Sequence, residues 1–246
     1  MILKMVIDLS DERFVHKQGL YEKYFKRAID IACSLIAIIV FCWLYGLVAL
    51  LVKVKLGSPI IFRQPRPGKD EKVFMMYKFR TMTDERDSDG NLLPDDVRLT
   101  NFGKLLRATS LDELPEVFNI LKGDMSIVGP RPQLVRDVVF MTDEQRRRAA
   151  VRPGLSGLAQ VNGRNDIDWE DKLSWDIKYI EKITFWGDVR IVFATVLKAF
   201  VKQEGITSGD MATAQDFGDY LLGKDVITKE FYDEKQAEAR ALLGVG

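Results

Sequence analysis

The most constraining feature of the sequence is an uncharged apolar segment near its start. Residues 31–52 read IACSLIAIIVFCWLYGLVALLV and contain no Asp, Glu, Lys or Arg. A helix of about 20 apolar residues crosses the hydrocarbon core of a bilayer, and a run of this length is long for a core helix of a soluble protein. The segment therefore predicts a membrane-associated helix over residues 21–56, preceded by an N-terminal arm over residues 1–20.

Basic residues flank this segment on both sides. They are Lys23, Lys26 and Arg27 before it, and Lys53, Lys55, Arg63 and Arg66 after it. Because the positive-inside rule compares the two flanks, this symmetry gives no preferred orientation. It is compatible with a re-entrant helix whose two ends both stay on the cytoplasmic side, which requires a break near Gly46, and a fully spanning helix is the alternative.

The amino-acid composition limits the classes of function that the chain is able to have. The chain has 36 basic and 36 acidic residues, and this balance argues against a general nucleic-acid-binding protein. Cys33 and Cys42, its two cysteines, both lie in the apolar run, so they cannot form a disulfide framework. His16, its one histidine, lies in a polar N-terminal stretch, which argues strongly against a histidine-based triad or a His-rich metal site. Any nucleophilic or acid–base role therefore falls to carboxylates, lysines or hydroxyl groups.

The stretch from Arg107 to Glu116, RATSLDELPE, places acidic residues at a predicted helix start. Ser110 followed by Glu113 has the form of a capping box, which puts Asp112 and Glu113 in the first helical turn. Free N–H groups and the helix dipole favour negative charge there. With Arg107 one turn upstream, the carboxylates suit joint binding of a metal ion and a phosphate, and ordinary capping is the alternative interpretation.

Alternating residues at positions 60–63 and 73–80 predict a β-hairpin with Pro65, Pro67 and Gly68 in its turn. Lys78 and Arg80 fall on one face of the second strand, because side chains in a strand repeat every two residues. Two cations on one face suit phosphate binding, while a solvated hairpin face explains them equally well.

Rigid loops later in the chain carry further arginines. Arg131 lies between two prolines, Arg152 precedes Pro-Gly, and Arg164 ends the segment QVNGR. Fixed backbones that carry Arg, Asn and Gln suit phosphate groups and base edges, although Gly and Pro are also ordinary turn residues. Helical periodicity follows, and a final helix is predicted over residues 228–243, stopped by Gly244.

These features together predict chemistry that joins a soluble phosphate-bearing substrate to a membrane component. At this point the chain resembles the bacterial sugar transferase family, the monotopic phosphoglycosyl transferases that begin glycan assembly on polyprenyl phosphate. It is closest to small members that consist of the catalytic domain alone, such as the bacillosamine phosphate transferases of bacterial N-glycosylation. The resemblance rests on the ordered motifs YKFRTM (77–82), SLDEL (110–114), KGDMS (122–126), VGPRP (128–132), RPG (152–154) and QVNGR (160–164).

The resemblance implies roles for particular residues. Asp112 matches the nucleophile that attacks the β-phosphate of a UDP-sugar, releasing UMP, and it also matches the metal ligand. Glu113 matches the second carboxylate of the dyad. The further residues assigned to substrate binding are Lys78, Arg80, Arg107, Arg131, Arg152, Arg164 and Asp188.

The resemblance also implies the fold, the cofactor and the partners. The expected fold is α+β and mostly helical, with one N-terminal, re-entrant membrane helix, a small β-hairpin, a catalytic domain over residues 57–205 and a tail with a helix over residues 206–246. Mg²⁺ is the expected cofactor. UDP-sugar, polyprenyl phosphate and membrane lipids are the expected partners, with the catalytic domain on the cytoplasmic face of the bacterial inner membrane.

One departure from the family concerns the membrane helix. Family members carry a Ser-Pro pair in its middle that breaks it into a re-entrant hairpin, and Cys42 and Trp43 stand at those positions here. Two functional alternatives stay open. One is a non-catalytic, membrane-anchored scaffold of a glycan-assembly complex. The other is a transferase that uses direct attack, with Asp112 serving only as a metal ligand.

Overall fold

The apolar helix predicted from the sequence is present. The structure, a computed structural model, describes residues 16–163, 168–198 and 215–244. Helix α1 (Arg27–Leu56) has 30 residues and is therefore about 45 Å long, and it continues from a π-helical turn, Tyr21–Lys26. By length and composition, it is the one helix in the described part of the chain that is able to cross a membrane.

The break expected for a re-entrant helix is not found in α1. Cys42, Trp43 and Gly46 all have helical backbone, and no atom lies within 4 Å of where a Cβ on Gly46 would stand. All three residues keep a backbone N–H, so the helical hydrogen bonds that a proline would remove are not interrupted here. With Trp43 in place of proline, α1 is a continuous helix.

The N-terminal end of α1 is attached to the rest of the protein by polar contacts. The Arg27 guanidinium donates to the carbonyl oxygens of Ile120 and Leu121 over 2.6 and 2.8 Å. Asp30, which is 3% exposed, accepts the backbone N–H of Ile127 over 3.0 Å. These contacts hold the charged start of the helix against the segment around residues 120–127.

The C-terminal half of α1 is attached by apolar packing. Val48, Val52 and Leu56 form a core cluster with Phe79 and Leu106. The remaining surface of α1 exposes large apolar side chains, namely Leu35, Ile36, Ile39, Val40, Phe41, Trp43, Leu47, Leu50, Leu51 and Val54. Because both halves are attached along one side, α1 lies alongside the protein with an apolar face available to lipid.

The predicted β-hairpin is confirmed, with a different turn. Strand β1 (Ile61–Pro67) pairs antiparallel with β2 (Val73–Phe79), and the turn between them contains a 3-10 segment, Lys69–Glu71. Pro65 and Pro67 lie inside β1, opposite Met75 and Val73, rather than in the turn. In a two-stranded sheet every strand is an edge strand, so a proline can point its missing donor away from the partner.

Short helices and a second strand pair form most of the remaining described structure. The helices are α2 (Asp95–Arg98), α3 (Asn101–Ala108), α4 (Glu116–Lys122), α5 (Val135–Val138), α6 (Asp143–Arg146), α7 (Leu158–Asn162), α8 (Trp169–Glu181), α9 (Phe185–Leu197), α10 (Phe217–Gly223) and α11 (Lys229–Leu243). Strands β3 (Ser126–Val128) and β4 (Gly154–Ser156) are parallel. The chain is therefore α+β and mostly helical, as predicted.

The strand pair β3–β4 brings two Arg-bearing loops together. A Cβ on Gly154 would stand 2.0 Å from the backbone nitrogen of Gly129, so only glycine permits this approach of the two backbones. Gly129 precedes the Pro130-Arg131-Pro132 loop, and Gly154 follows Arg152 and Pro153. The glycines of both motifs are thus explained by packing between neighbouring loops.

The helix predicted near the C-terminus is confirmed as α11. The Thr228 hydroxyl accepts the Phe231 N–H over 3.3 Å at its start, and Gly244 ends it with φ of 67°. Together, α10 and α11 pack on α5 through a core cluster that includes Phe140 and Phe217. The predicted boundary between residues 205 and 206 lies outside the described residues.

A buried ion pair links α8 to the loop that carries Arg131. Arg148 donates to the Asp176 carboxylate over 2.9 and 2.5 Å and also donates to the Arg131 carbonyl oxygen. Arg148 and Asp176 are 6% and 1% exposed, so neither charge has water to replace its partner.

We predict that Asp176→Ala lowers the free energy of unfolding by about 3–5 kcal/mol, because it leaves the buried Arg148 charge without a counter-ion. Denaturant unfolding of the detergent-solubilised protein measures the loss. The matched control is Lys229→Ala, which removes the exposed Lys229–Asp233 pair (2.8 Å) and should leave the midpoint unchanged. Equal losses in the two variants would contradict the prediction.

Candidate active site

A cluster of acidic and basic side chains lies just before α4. Glu113 is at its centre, and one of its carboxylate oxygens accepts from both the Lys78 ammonium and the Arg131 guanidinium, each over 2.7 Å. Lys78 comes from β2 and Arg131 from the loop after β3. Three separate elements therefore meet at Glu113.

The backbone at this point differs from the predicted capping box. Ser110 has φ of 55°, its side chain caps nothing, and residues Leu111–Glu113 form a 3-10 turn. Helix α4 begins only at Glu116, after Pro115. The prediction failed because the Glu113 side chain, which a capping box would direct to the Ser110 N–H, is instead held by Lys78 and Arg131.

Asp112 has a buried carboxylate that is not committed to another group. It is 7% exposed and forms neither a hydrogen bond nor an ion pair with any other described residue. Its pKa is raised from 3.8 to about 6, chiefly by burial and also by the Glu113 charge, against the opposite effect of Lys78, Arg107 and Arg131. Near neutral pH, Asp112 is thus a largely ionised carboxylate with unused acceptor capacity.

Glu113 has the opposite electrostatic character to its neighbour Asp112. Burial alone would raise the pKa of Glu113, but the charges and hydrogen bonds of Arg131 and Lys78 hold it well below its usual range. Adjacent carboxylates whose pKa values are pushed apart by their surroundings are typical of groups with different chemical roles. Glu113 orients the cations, and Asp112 keeps its oxygens available.

Two further features place cations around Asp112. The Nε of Arg107 on α3 donates to the Thr81 hydroxyl over 3.1 Å, and burial lowers the pKa of Arg107 while the Asp112 charge raises it. Burial likewise lowers the pKa of Lys78, but attraction to Glu113 and Glu116 outweighs it and leaves that pKa raised. The structure thus brings Lys78, Arg107 and Arg131 to the carboxylates.

Arg80 and Arg152, both predicted to bind substrate, are engaged elsewhere. Arg80 lies beyond the end of β2 and donates to the carbonyl oxygens of Ser58 and Met82 over 2.6 and 2.7 Å. Its remaining nitrogen pairs with Asp84 at 2.8 Å. Arg152 donates to the carbonyl oxygen of Gly123, at the opposite end of α4 from Asp112.

Asp188 also lies in a different group of side chains. It accepts hydrogen bonds from the hydroxyls of Tyr21 and Tyr179 over 3.0 and 2.9 Å, and it pairs with the Lys26 ammonium. These contacts join the N-terminal turn of α9 to the start of the membrane helix. Arg164 lies outside the described residues, and the substrate-binding roles of all these residues stay predictions.

The sequence interpretation gave no role to several residues that build the site. Asn119, which is fully buried, accepts the Tyr77 N–H over 3.0 Å and donates to the Met75 carbonyl oxygen over 2.8 Å, so it fixes α4 to β2. Glu116, 1% exposed, lies 3.2 Å from the Lys78 ammonium. The sequence signal that could have identified Glu116 is its position four residues after Asp112, because residues four apart lie on the same side of a helix.

The site is directly connected to the membrane helix. The Tyr45 hydroxyl, in the middle of α1, donates to the backbone carbonyl oxygen of Leu114 over 3.0 Å. Leu114 follows Asp112 and Glu113 in the chain and belongs, with α1, to a shared core cluster. The segment that carries Asp112 and Glu113 is therefore held against the side of α1 that packs on the protein.

The side chains around Asp112 limit the kind of metal site that the protein is able to form. Among the described residues, no group of three or more His, Cys, Asp or Glu side chains is arranged to hold a metal. Mg²⁺ is commonly bound by one or two carboxylates and completed by water and substrate phosphates, and the uncommitted Asp112 carboxylate fits that requirement. The residues present fit a Mg²⁺ ion that arrives with a phosphate substrate better than a protein-enclosed ion.

The chain thus combines a helix long and apolar enough to cross a membrane with a cluster of buried acidic and basic side chains. The chain belongs to the bacterial sugar transferase family, whose profile matches residues 21–202. It is 46% identical over 217 residues to the uncharacterized sugar transferase EpsL of Bacillus subtilis, a match covering 88% of this chain and 96% of that protein.

Relatives with more specific names are longer proteins. The UDP-glucose:undecaprenyl-phosphate glucose-1-phosphate transferase of Klebsiella pneumoniae is 40% identical over 194 residues, which cover 73% of this chain and 41% of that protein. The undecaprenyl-phosphate galactose phosphotransferase of Salmonella typhimurium is 36% identical over 202 residues, covering 74% and 42%. The matched region is thus about two fifths of each of these enzymes.

We predict that Asp112→Asn stabilises the protein at pH 7.5, because the ionised carboxylate is less favourable in the buried site than in the unfolded chain. The raised pKa corresponds to roughly 3 kcal/mol at most, present above pH 6 and lost below about pH 4, where both states are protonated. Thermal unfolding at pH 7.5 and pH 4, with a chelator present, measures the difference.

The control is Asp137→Asn. Asp137 is 2% exposed and burial raises its pKa to about 6 as well. However, its two oxygens accept the N–H groups of Leu134 and Phe217, and an amide cannot replace both acceptors. Asp137→Asn should therefore destabilise the protein, and a loss of stability in Asp112→Asn at pH 7.5 would contradict our assignment.

Proposed function

We propose that this protein transfers a sugar-1-phosphate from a UDP-sugar to polyprenyl phosphate, giving polyprenyl-diphosphate-sugar and UMP. The proposal includes a covalent aspartyl-phosphosugar intermediate on Asp112. Support comes from the family membership and from the relatives named as undecaprenyl-phosphate glucose-1-phosphate and galactose phosphotransferases. The single observation that carries the mechanism is the buried, uncommitted carboxylate of Asp112 beside Lys78, Arg107 and Arg131.

In the first step, a carboxylate oxygen of Asp112 attacks the phosphorus atom that carries the sugar. The new bond joins this oxygen to phosphorus, and the bond from phosphorus to the bridging oxygen of the diphosphate breaks. UMP leaves with that bridging oxygen. A carboxylate is a weak nucleophile towards an anionic diphosphate, so the reaction requires cations that neutralise the phosphate oxygens.

The cations of the cluster are placed for this neutralisation. Arg131 has its carbonyl fixed by Arg148 and its side chain by Glu113, so its guanidinium is oriented before substrate binds. Lys78 is positioned in the same way by Glu113. Fixed donors stabilise developing negative charge without the cost of reorganising at the moment of reaction.

In the second step, an oxygen of polyprenyl phosphate attacks the same phosphorus atom. The bond to the Asp112 oxygen breaks, and the carboxylate is regenerated. Separating the transfer into two displacements lets the water-soluble donor leave before the lipid acceptor reacts. The hydrogen bond from Tyr45 to the Leu114 carbonyl oxygen supports an exchange beside α1, the part of the chain that we expect to meet lipid.

Mg²⁺ completes the proposed site, with Asp112 as its protein ligand. When bound, the ion would act as a Lewis acid on the phosphate oxygens. We further propose that the catalytic part of the chain lies on the cytoplasmic face of the bacterial inner membrane, where nucleotide-sugars are present.

Trapping the intermediate tests the proposal. Purified protein is mixed with Mg²⁺ and UDP-sugars labelled in the sugar, without polyprenyl phosphate, and then denatured. We expect a labelled protein adduct with one UMP released per adduct, and its transfer to lipid when polyprenyl phosphate is added. A screen over UDP-linked N-acetylated hexoses, UDP-glucose and UDP-galactose identifies the sugar.

Two aspartate variants give the test its controls. Asp112→Asn should lose the adduct and at least about a thousandfold in turnover, because the amide is not a nucleophile. Asp171→Asn makes the same substitution at an exposed position on α8 and should behave as wild type. Turnover without any adduct would favour direct attack, and native activity in Asp112→Asn would favour the scaffold.

A further inference from the structure

Glu116 is a buried acidic residue of the site for which neither step above has a use. It opens α4 and is 1% exposed. Its Oε1 pairs with the Lys78 ammonium at 3.2 Å, and no other group in the described part of the protein donates to that oxygen. A carboxylate oxygen cut off from water in this way is costly unless charge or a proton compensates it.

Charged groups face Glu116 from each element around it. Lys78 lies on β2, Glu113 on the preceding 3-10 turn and Arg131 on the loop after β3. Arg66 on β1 also interacts with Glu116, and its Nε is likewise buried without a hydrogen-bond partner. Glu116 therefore belongs to the same electrostatic unit as Lys78 and Arg131.

The Glu116 side chain changes between its neutral and its charged form near neutral pH. Burial raises the pKa of Glu116 to about 7 and the Glu113 charge contributes to the rise, whereas Lys78 and Arg131 act in the opposite direction. Any additional negative charge in the cluster raises this pKa further. Among the described residues, neither a hydrogen bond nor an ion pair joins Glu116 to Asp112.

We propose that Glu116 is a positioning residue that holds Lys78 against Glu113 before substrate binds and takes up a proton from solvent when a diphosphate enters. This inference rests on the proposed function. Glu113 and Glu116 both attract the Lys78 ammonium. Protonation removes the negative charge of Glu116, so that Lys78 is released towards the phosphate oxygens. No bond to the substrate is involved.

The charges of the cluster favour this response. With all groups ionised, Asp112, Glu113 and Glu116 face four cations, and Lys78 is the one that pairs directly with Glu116. When a phosphate oxygen draws the Lys78 ammonium away, the buried Glu116 carboxylate loses the cation that pairs with it at 3.2 Å. A buried charge without a counter-ion is unfavourable, and this holds whether or not Mg²⁺ neutralises the diphosphate itself. Glu113 is held ionised by its two cations, so Glu116 is the carboxylate that accepts a proton at least cost.

Proton uptake makes substrate binding depend on pH in a defined direction. Below pH 7, Glu116 is already protonated and binding carries no cost. Above pH 7, a proton must be taken up, so affinity falls by up to roughly tenfold per pH unit. We predict that KM for the UDP-sugar rises several-fold between pH 6.5 and pH 8.5 in the wild type.

The decisive variant is Glu116→Gln, which keeps the shape of the side chain and removes its charge. Its KM should be nearly constant from pH 6.5 to pH 8.5 and lower than the wild-type KM at pH 8.5, with a smaller change in kcat. Glu116→Asp retains a carboxylate and should restore the pH dependence. A Glu116→Gln enzyme with the wild-type pH profile of KM would overturn the proposal.

A second measurement does not depend on turnover. Calorimetric titration with UDP and Mg²⁺, in two buffers of different ionisation enthalpy, counts the protons taken up on binding. The Asp112→Asn background removes the other group whose pKa is raised in the cluster. At pH 8 we expect uptake approaching one proton, which disappears when Glu116→Gln is added.

The control for both measurements is Glu71→Gln. Glu71 is also buried, at 9% exposed, and accepts from Arg146 over 2.7 Å, away from the cluster. It should leave KM, its pH dependence and proton uptake unchanged. UDP binding with undiminished proton uptake in Glu116→Gln refutes the role of Glu116 alone. A failure of UDP to bind the wild type refutes the proposed function and the role together.

Discussion

The interaction on which the site depends is the shared contact of Lys78 and Arg131 with Glu113. It joins β2, the 3-10 turn and the loop after β3, so both cations are fixed by the residue that directly follows Asp112 in the chain. The arrangement assigns two tasks to two carboxylates: one orients the cations, and the other keeps its oxygens available. A single carboxylate cannot do both. Glu113 is stabilised as an ion and orients its partners, while Asp112 keeps its oxygens unbonded at the cost of a raised pKa.

The fold supports this cluster from two directions. Asn119 fixes α4 to β2 by hydrogen bonds to backbone groups on both sides of Met76, and Arg148 holds the carbonyl oxygen of Arg131 while paired with Asp176. Each support is a buried polar side chain with partners far away in the chain. Any other arrangement of the site would leave one of these buried polar groups without a hydrogen-bond partner, which costs free energy. The contacts therefore favour a single geometry of the site.

Local sequence patterns predicted the elements better than they predicted the contacts. The apolar run, the hairpin and the helix ended by Gly244 follow from hydrophobic periodicity and stop signals, and all are present. The assignments of Arg80, Arg152 and Asp188 came from motifs, whereas their partners in the structure are set by tertiary packing. The capping box failed for the same reason, since long-range cations compete successfully for the glutamate side chain.

The attachment of α1 along its length has a consequence for how the lipid environment acts on this enzyme. Tyr45 bonds the middle of the helix to the segment that carries the carboxylates, and Arg27 and Asp30 fix its start to the end of α4 and the start of β3. A bilayer whose hydrocarbon thickness does not match the helix must deform, or else tilt the helix and the attached site together. Catalysis by this protein is therefore expected to vary with acyl-chain length.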